Sequence, residues 1–462
     1  MNLENDTVID LLKETGEEIY LAGGAIRDFY TDRINHDKDI IICSRSAKEF
    51  AQKFANDNNA SFVVLDEKNN IYRVVMKDKL NYIDITNPVN NSLEEDLKRR
   101  DLTINSVAIN IKTGEIYDIF NGIGDIKNKI IRAVSEQNFI DDPLRMLRAY
   151  RFASVLGFSI EDKTEEIIRK HKNLIIYPAI ERKNSEILKL FGGKDTHNVL
   201  KIMDADGIID ILFPIMLDVK KVPRNAHHHL DLFNHSIETV KQIQFIYMNS
   251  CSEVKTHLED IYLRGESRLS HLKLAGFLHD IGKFSTWTIE EGRHRFIGHA
   301  EIGANIAKAI LQKQKFSKKQ TEYIAFMIKH HIYPSSVVSV PNLNDKICMR
   351  YIRRVNDKAI DLITLAKADR LSARGVEVTK EMVEENILRL NKLQDFYIKI
   401  KPALKPLPKL LNGNDIMNIR KIEPSKELGE IIDALHEAQF EGKILTVKSA
   451  VRFVKSYKLK DK

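Results

Sequence analysis

The pattern of apolar residues changes character part-way along this chain, and that change limits the fold most. Up to about residue 135, short apolar runs alternate with polar turns. Glu18-Ile19-Tyr20-Leu21, Phe62-Val63-Val64-Leu65, Tyr72-Arg73-Val74-Val75-Met76 and Tyr82-Ile83-Asp84-Ile85 read as strands. From about Asp142 onward, helix-period segments follow one another with Pro, Gly and Asn at the breaks. This order predicts an α+β architecture rather than an alternating doubly wound sheet. An N-terminal head with a mixed β-sheet is followed by an all-α neck and body, then by further helical parts. The expected boundaries are a head over 1–135, a helical neck and body over 136–220, a second helical domain over 221–375 and a helical tail over 376–462. The 462 residues leave room for about two to four such domains.

Composition excludes some classes. Hydrophobic content of 43% and charged content of 30% suit a globular chain. No apolar run approaches a membrane span, so no membrane partner is expected. Cys43, Cys251 and Cys348 form no Cys-x-x-Cys pair, which suits a reducing cytoplasm, and the polar start Met1-Asn2-Leu3-Glu4 does not read as a signal peptide. The net charge of +7 permits a polyanionic partner without demanding one.

The chemistry begins at Gly23-Gly24-Ala25-Ile26-Arg27-Asp28, which follows the first strand. Paired glycines remove side chains where backbone must come close to something, and a turn favours them too. Asp37-Lys38-Asp39-Ile40-Ile41-Ile42 reads as the next strand. Residues two apart on a strand project to one face, so Asp37 and Asp39 are expected together, and two adjacent carboxylates call for a cation. Mg²⁺ suits them, because it takes hard oxygen ligands and leaves room for phosphate. Asp84, on another predicted strand, is a candidate third carboxylate, although a solvated strand-end aspartate would look the same.

Arg99-Arg100-Asp101-Leu102-Thr103-Ile104-Asn105 sets charges before an apolar start. Arg100 could meet a triphosphate and Asp101 a ribose hydroxyl; a surface charge cluster with a helix cap is the plainer reading. Asp118, Gly122 and Arg132 fit turn chemistry. In Asp141-Asp142-Pro143-Leu144-Arg145-Met146-Leu147-Arg148, Asp142 and Pro143 start a helix, and Arg145 shares the Asp142 face. As a pair they offer an acceptor beside a donor. Cytosine and adenine present an amine beside an unprotonated ring nitrogen, whereas guanine and uracil present like groups and leave polar atoms unpaired.

Taken in this order, the stretches from about Gly23 to Leu190 resemble the class II tRNA nucleotidyltransferases, the CCA-adding enzymes, and the related bacterial poly(A) polymerases. Glu181-Arg182-x₃-Glu186 resembles that family's later helical motif, which supports the nucleotide pocket. The resemblance implies a nucleotidyltransferase head with Mg²⁺ held by Asp37 and Asp39 and with Asp84 assisting. It implies nucleotide binding by Gly23, Gly24, Arg27, Arg100, Asp101, Asn105, Asp142, Arg145 and Arg148. It also implies CTP and ATP as substrates, and addition to the 3′ end of tRNA without a nucleic-acid template. Two departures stand out. Asp141 replaces the family's frequent glutamate. The stretch from Ile85 to Lys98 is short, and in the family a shortened loop goes with enzymes that add only the two cytidines. CC-only addition, A-only addition and poly(A) synthesis all stay open.

Further on, Leu278-His279-Asp280-Ile281-Gly282-Lys283, with His235 upstream and Asp369 downstream, resembles the HD-family phosphohydrolase set. This predicts an HD domain that binds a divalent metal of undetermined identity through His235, His279, Asp280 and Asp369, and that hydrolyses phosphoesters. His299 and His330 are candidate ligands for a second metal, and His227-His228-His229 reads as the start of a helix. A metal-dependent phosphohydrolase with an RNA-binding head is the competing reading.

Overall fold

The computed structural model describes residues 6–31, 33, 37–224, 229–263, 265–375, 377–403, 408–440 and 442–457. It divides into two compact units, Met1–Leu217 with Gln314–Phe316, and Asp218–Lys313 with Ser317–Lys462.

The first unit is built on seven strands: β1 (Ile19–Ala22), β2 (Asp37–Ile42), β3 (Ser61–Asp66), β4 (Ile71–Val75), β5 (Tyr82–Thr86), β6 (Ala108–Asn110) and β7 (Ile116–Tyr117). Their order in the sheet is β3-β4-β5-β2-β1-β6-β7. Only β2 and β5 pair in parallel, so the sheet is mixed, as the sequence predicts. One face carries Ile19, Leu21, Ile40, Ile42, Val74, Ile83 and Ile85. Helices Thr7–Glu14 and Ala47–Asp57 cover it with Val8, Ile9, Leu12, Phe50 and Phe54. Strand parity therefore turns Asp39 and Asp84 to the opposite face, where Tyr20, Ala22, Ile41, Leu97 and Ala108 pack.

The rest of this unit is helical apart from a short parallel pairing of Ile130–Ile131 with Ser159–Ile160. Helix Leu144–Leu156 ends at Gly157, whose φ of 69° supplies the left-handed cap. Its buried residues include Leu144, Leu147, Tyr150 and Ala153, and helix Ile180–Phe191 buries Ile187, Leu188 and Phe191.

The second unit centres on helices Leu232–Met248, Arg268–Leu278, Lys318–His330 and Ala359–Ser372. Every residue of Arg268–Leu278 is buried, the signature of a helix surrounded by others. Two small hairpins interrupt the helical run, Ile261–Leu263 with Glu266–Ser267 and Thr288–Glu290 with Arg293–Arg295. Their strands are too short to carry a sequence period. His227 and His228 lie outside the described residues. His229 is exposed, and the helix expected at the histidine triple begins at Leu232, where the Asp231 carboxylate accepts from the Asn234 N–H at 2.8 Å. Helices Gly413–Arg420, Lys426–Phe440 and Val447–Ser456 share a separate apolar cluster around Ile416, Ile431, Leu435 and Val454. Among the described residues, no helix is long and apolar enough to cross a membrane.

Candidate functional site

In the first unit, a cavity of about 410 Å³ is lined by Gly23, Gly24, Arg27, Asp39, Arg100, Asp101, Asn105, Asp142, Arg145, Arg148, Arg151, Phe152 and Arg182. It gathers all nine residues expected to bind a nucleotide, and it is large enough for a small-molecule ligand. Six guanidiniums face three carboxylates there, a balance suited to a polyanion such as a triphosphate.

Gly23 sits at φ 69°, a region closed to most side chains. A Cβ there would lie 2.6 Å from Arg100 Nη1 and 3.0 Å from Asp39 Oδ2. The glycine thus lets an arginine and a carboxylate close over the same backbone. Gly23→Ala is expected to displace both and to cost roughly 10²-fold in turnover, the scale of a misplaced reacting group. Steady-state turnover, with circular dichroism to confirm folding, checks this.

Asn105 joins the arginine-aspartate segment together. Its side-chain oxygen accepts from Arg27 Nη1 at 2.7 Å, its amide donates to Asp101 Oδ1 at 3.0 Å and its carbonyl accepts from Arg100 Nη1 at 3.1 Å. Arg148 Nε donates to Asp101 Oδ2 at 2.6 Å. Burial would raise the Asp101 carboxyl, but the Arg148 charge, with the Asn105, Arg148 and Leu102 donors, outweighs it and holds the group down to about 2. Asp101 is therefore an ionised acceptor. Asp118, Gly122 and Arg132 support this segment from outside the cavity. Asp118 accepts from Gly122 and Ile123 N–H, and Asp125 takes both Arg132 Nε and the Thr103 hydroxyl. A Cβ on Gly122 would meet the Thr103 carbonyl oxygen.

Asp37 occupies its strand position opposite Tyr82, and its side chain lies outside the described residues. Asp39 is in register with Asp84 on the neighbouring parallel strand. Asp84 does not line the cavity. Both its oxygens accept from Arg73 of β4, Nε at 2.6 Å and Nη2 at 2.7 Å. Arg73 stands opposite Asp84 in the antiparallel β4–β5 register, a pairing that strand periodicity alone does not reveal.

Sequence reading missed Arg151 and Phe152. Positions 142, 145, 148 and 151 step by one helical turn, so continuing the step finds Arg151. Its Nε lies 3.1 Å from Glu186 Oε2. Burial lowers it to about 10, Glu186 opposes this, and the charges of Arg148 and Arg27 add to the lowering. The guanidiniums of Arg151, Arg27 and Arg148 lie 3.9, 4.6 and 5.6 Å from the Phe152 ring centre, a contact that offsets part of their mutual repulsion.

In the second unit, His235, His279, Asp280 and Asp369 bring one ligand atom each to within 4.8 Å of one another. His235 Nε2 lies 3.3 Å from His279 Nε2 and 3.2 Å from Asp369 Oδ1. His299 and His331, with Asp280, form a second group of this kind. The second histidine is therefore not His330, as the sequence reading had it, but its neighbour. His330 packs on the Phe326 ring with centres 4.4 Å apart, and burial, with the nearby charges of Arg354 and Lys329, pushes it down to about 4. Adjacent residues at a helix end point about 100° apart, and spacing alone did not say which one faces inward.

The donor set fits a divalent metal. His279, His299 and His331 each turn Nδ1 to a backbone carbonyl, of Gly276, Phe296 and Ile328, which turns Nε2 toward the cluster. Both Asp280 oxygens are buried without an aligned hydrogen bond, although Lys283 Nζ lies 2.5 Å from Oδ2. Lys283 is one cationic partner, and Nε2 of His235, His279, His299 and His331 all lie within 3.6 Å of the carboxylate, a mixed imidazole and carboxylate set that a divalent metal would suit.

Comparison with known proteins places three families along the chain: "Poly A polymerase head domain" over residues 19–132, "Probable RNA and SrmB- binding site of polymerase A" over 157–219 and "HD domain" over 232–374. The chain is 28% identical to a CC-adding tRNA nucleotidyltransferase of Thermus thermophilus, over 95% of this chain and 94% of that one. It is 29% identical to an A-adding tRNA nucleotidyltransferase of Deinococcus radiodurans, over 95% of each. Among solved structures, a Thermotoga maritima CCA-adding enzyme complexed with tRNA aligns over 96% of this chain and 92% of that one, with a TM-score of 0.55 and 21% identity.

Proposed function

We propose that the chain is a member of the tRNA nucleotidyltransferase and poly(A) polymerase family with an HD domain, and that it adds C and/or A residues of the terminal CCA to the 3′ end of tRNA from CTP and ATP. The observation that carries this reading is the cavity in which the Gly23 turn, Asp39, the Arg100–Asn105 segment and the Asp142–Phe152 helix start converge. Asp37 and Asp39 would hold Mg²⁺, which supplies charge neutralisation at the phosphates when bound. Arg100 and Arg148 face the triphosphate, and ionised Asp101 accepts from a ribose hydroxyl. Asp142 and Arg145 read the base edge. The tRNA 3′ oxygen attacks the α-phosphorus, and the bond to pyrophosphate breaks. Arg73 orients Asp84, which stands beside Asp39 and assists from there.

The division into a head at 1–135, neck and body at 136–220, HD domain at 221–375 and tail at 376–462 goes with this reading, the body and tail gripping tRNA by charge and shape. The HD domain hydrolyses phosphoesters at its His–Asp cluster with a divalent metal of unassigned identity. Three scattered free cysteines suit the cytoplasm.

Two observations favour a narrower product. The Ile85–Lys98 stretch is occupied by the end of β5, a single turn at Val89–Asn91 and helix Leu93–Lys98, with no long loop. Two relatives similar over nearly the full length are CC-adding and A-adding, although the Thermotoga maritima CCA-adding enzyme aligns over as much of the chain. Sequencing of 3′ ends from tRNAs lacking CCA, CA or A, each with CTP, ATP or both, tests the proposal. Full CCA, CC alone or A alone each fixes the product; continued A addition means poly(A) synthesis, and no addition overturns the reading. Asp142→Ala with Arg145→Ala is expected to lower CTP-over-UTP discrimination by on the order of 10²-fold or to stop addition. Unchanged discrimination would remove base reading from this pair.

A further inference from the structure

The two base-facing side chains already hold partners of their own. Arg145 Nη1 donates to the Asn138 carbonyl at 3.1 Å, which uses one of the five guanidinium donors. Asp142 is more fully engaged. Its Oδ1 accepts from the Leu144 N–H at 3.2 Å, and its Oδ2 accepts from Arg182 Nη2 at 2.9 Å. Arg182 comes from helix Ile180–Phe191 and also lines the cavity.

We infer that Arg182 is a placeholder for the nucleotide base: it occupies the Asp142 acceptor in the free protein, and the exocyclic amine of the incoming base displaces it. The inference rests on the reading of Asp142 as a base-facing residue. In the free protein Arg182 thus pairs the carboxylate that a base would otherwise meet. The pair is loose enough to exchange, since the Arg182 side chain is 56% exposed and that of Asp142 30%. Exchange lowers apparent nucleotide affinity, because only the fraction of molecules with Asp142 released can bind. The choice between bases stays with Asp142 itself, once it is released. A cytosine or adenine amine replaces the lost donor, whereas a uracil or guanine carbonyl cannot.

Equilibrium binding of CTP and UTP to the full chain without tRNA, for wild type, Arg182→Ala, Asp142→Ala and the double variant, tests this. Arg182→Ala is expected to tighten CTP binding about two- to fivefold, the range of an exposed ion pair, with the CTP-over-UTP ratio kept or raised. In the Asp142→Ala background the same substitution is expected to change nothing. Weaker CTP binding or a reduced ratio in Arg182→Ala would overturn the inference and make Arg182 an orienting group instead. Equal tightening in both backgrounds would overturn it as well. If Asp142→Ala alone leaves the ratio unchanged, the base-reading assignment fails first, and the inference falls with it for a separate, visible reason.

Discussion

Asp39→Ala is expected to lower nucleotide addition by on the order of 10³-fold or more, while phosphoester hydrolysis by the second unit stays at the wild-type level. Asp39 is the described carboxylate of β2 that faces the cavity, and Gly23 is kept bare beside its Oδ2. Its loss removes a hard oxygen ligand where the phosphates must sit. It should not unfold the head, because Ile40 and Ile42 hold β2 from the other face. Asp84→Asn gives the contrast. That carboxylate is bound on both oxygens by Arg73 and lies off the cavity wall, so its substitution should cost far less. Primer extension on tRNA, run beside hydrolysis of bis(p-nitrophenyl) phosphate, reads both activities. Loss of both in Asp39→Ala would mean global damage, and equal losses in Asp39 and Asp84 variants would restore Asp84 to an equal share.

Much of this site was legible because its chemistry is local in sequence. A strand period places Asp39 on a face, and a helix period places Asp142, Arg145 and Arg148 in a row. What stayed hidden depends on pairing between distant segments. That Arg73 takes Asp84 follows from the β4–β5 register, and no period within either strand announces it. That Arg182 reaches Asp142 depends on how two helices pack. Asp118, Gly122 and Arg132 fit turn chemistry one by one and form one stretch of the family resemblance, but that they brace the Thr103 turn from behind is seen only in the structure. The head sheet was likewise predictable as strands, whereas the parallel β2–β5 pair that sets Asp39 beside Asp84 is a fact of topology.

The HD cluster makes the sharpest separable prediction, because Asp280 belongs to both ligand groups. Asp280→Asn is expected to lower phosphoester hydrolysis by on the order of 10³-fold and to leave nucleotide addition unchanged. The readout that does not depend on turnover is metal content. Wild-type protein incubated with Mn²⁺, Co²⁺ or Ni²⁺ and desalted should retain metal and show a raised Tm, since a ligand that binds only the folded state stabilises it. Asp280→Asn should lose both effects. His331→Ala should weaken retention of the second equivalent, because His331 Nε2 lies 3.4 Å from His299 Nε2 and 3.6 Å from Asp280 Oδ1. His330→Ala should leave metal content unchanged, since that ring packs on Phe326. If His330→Ala lost metal and His331→Ala did not, the facing of this helix end would be reversed. If wild type held no metal under any of these conditions, the buried Asp280 would be a charge partner for Lys283 and the histidines, and the second unit would bind without hydrolysing.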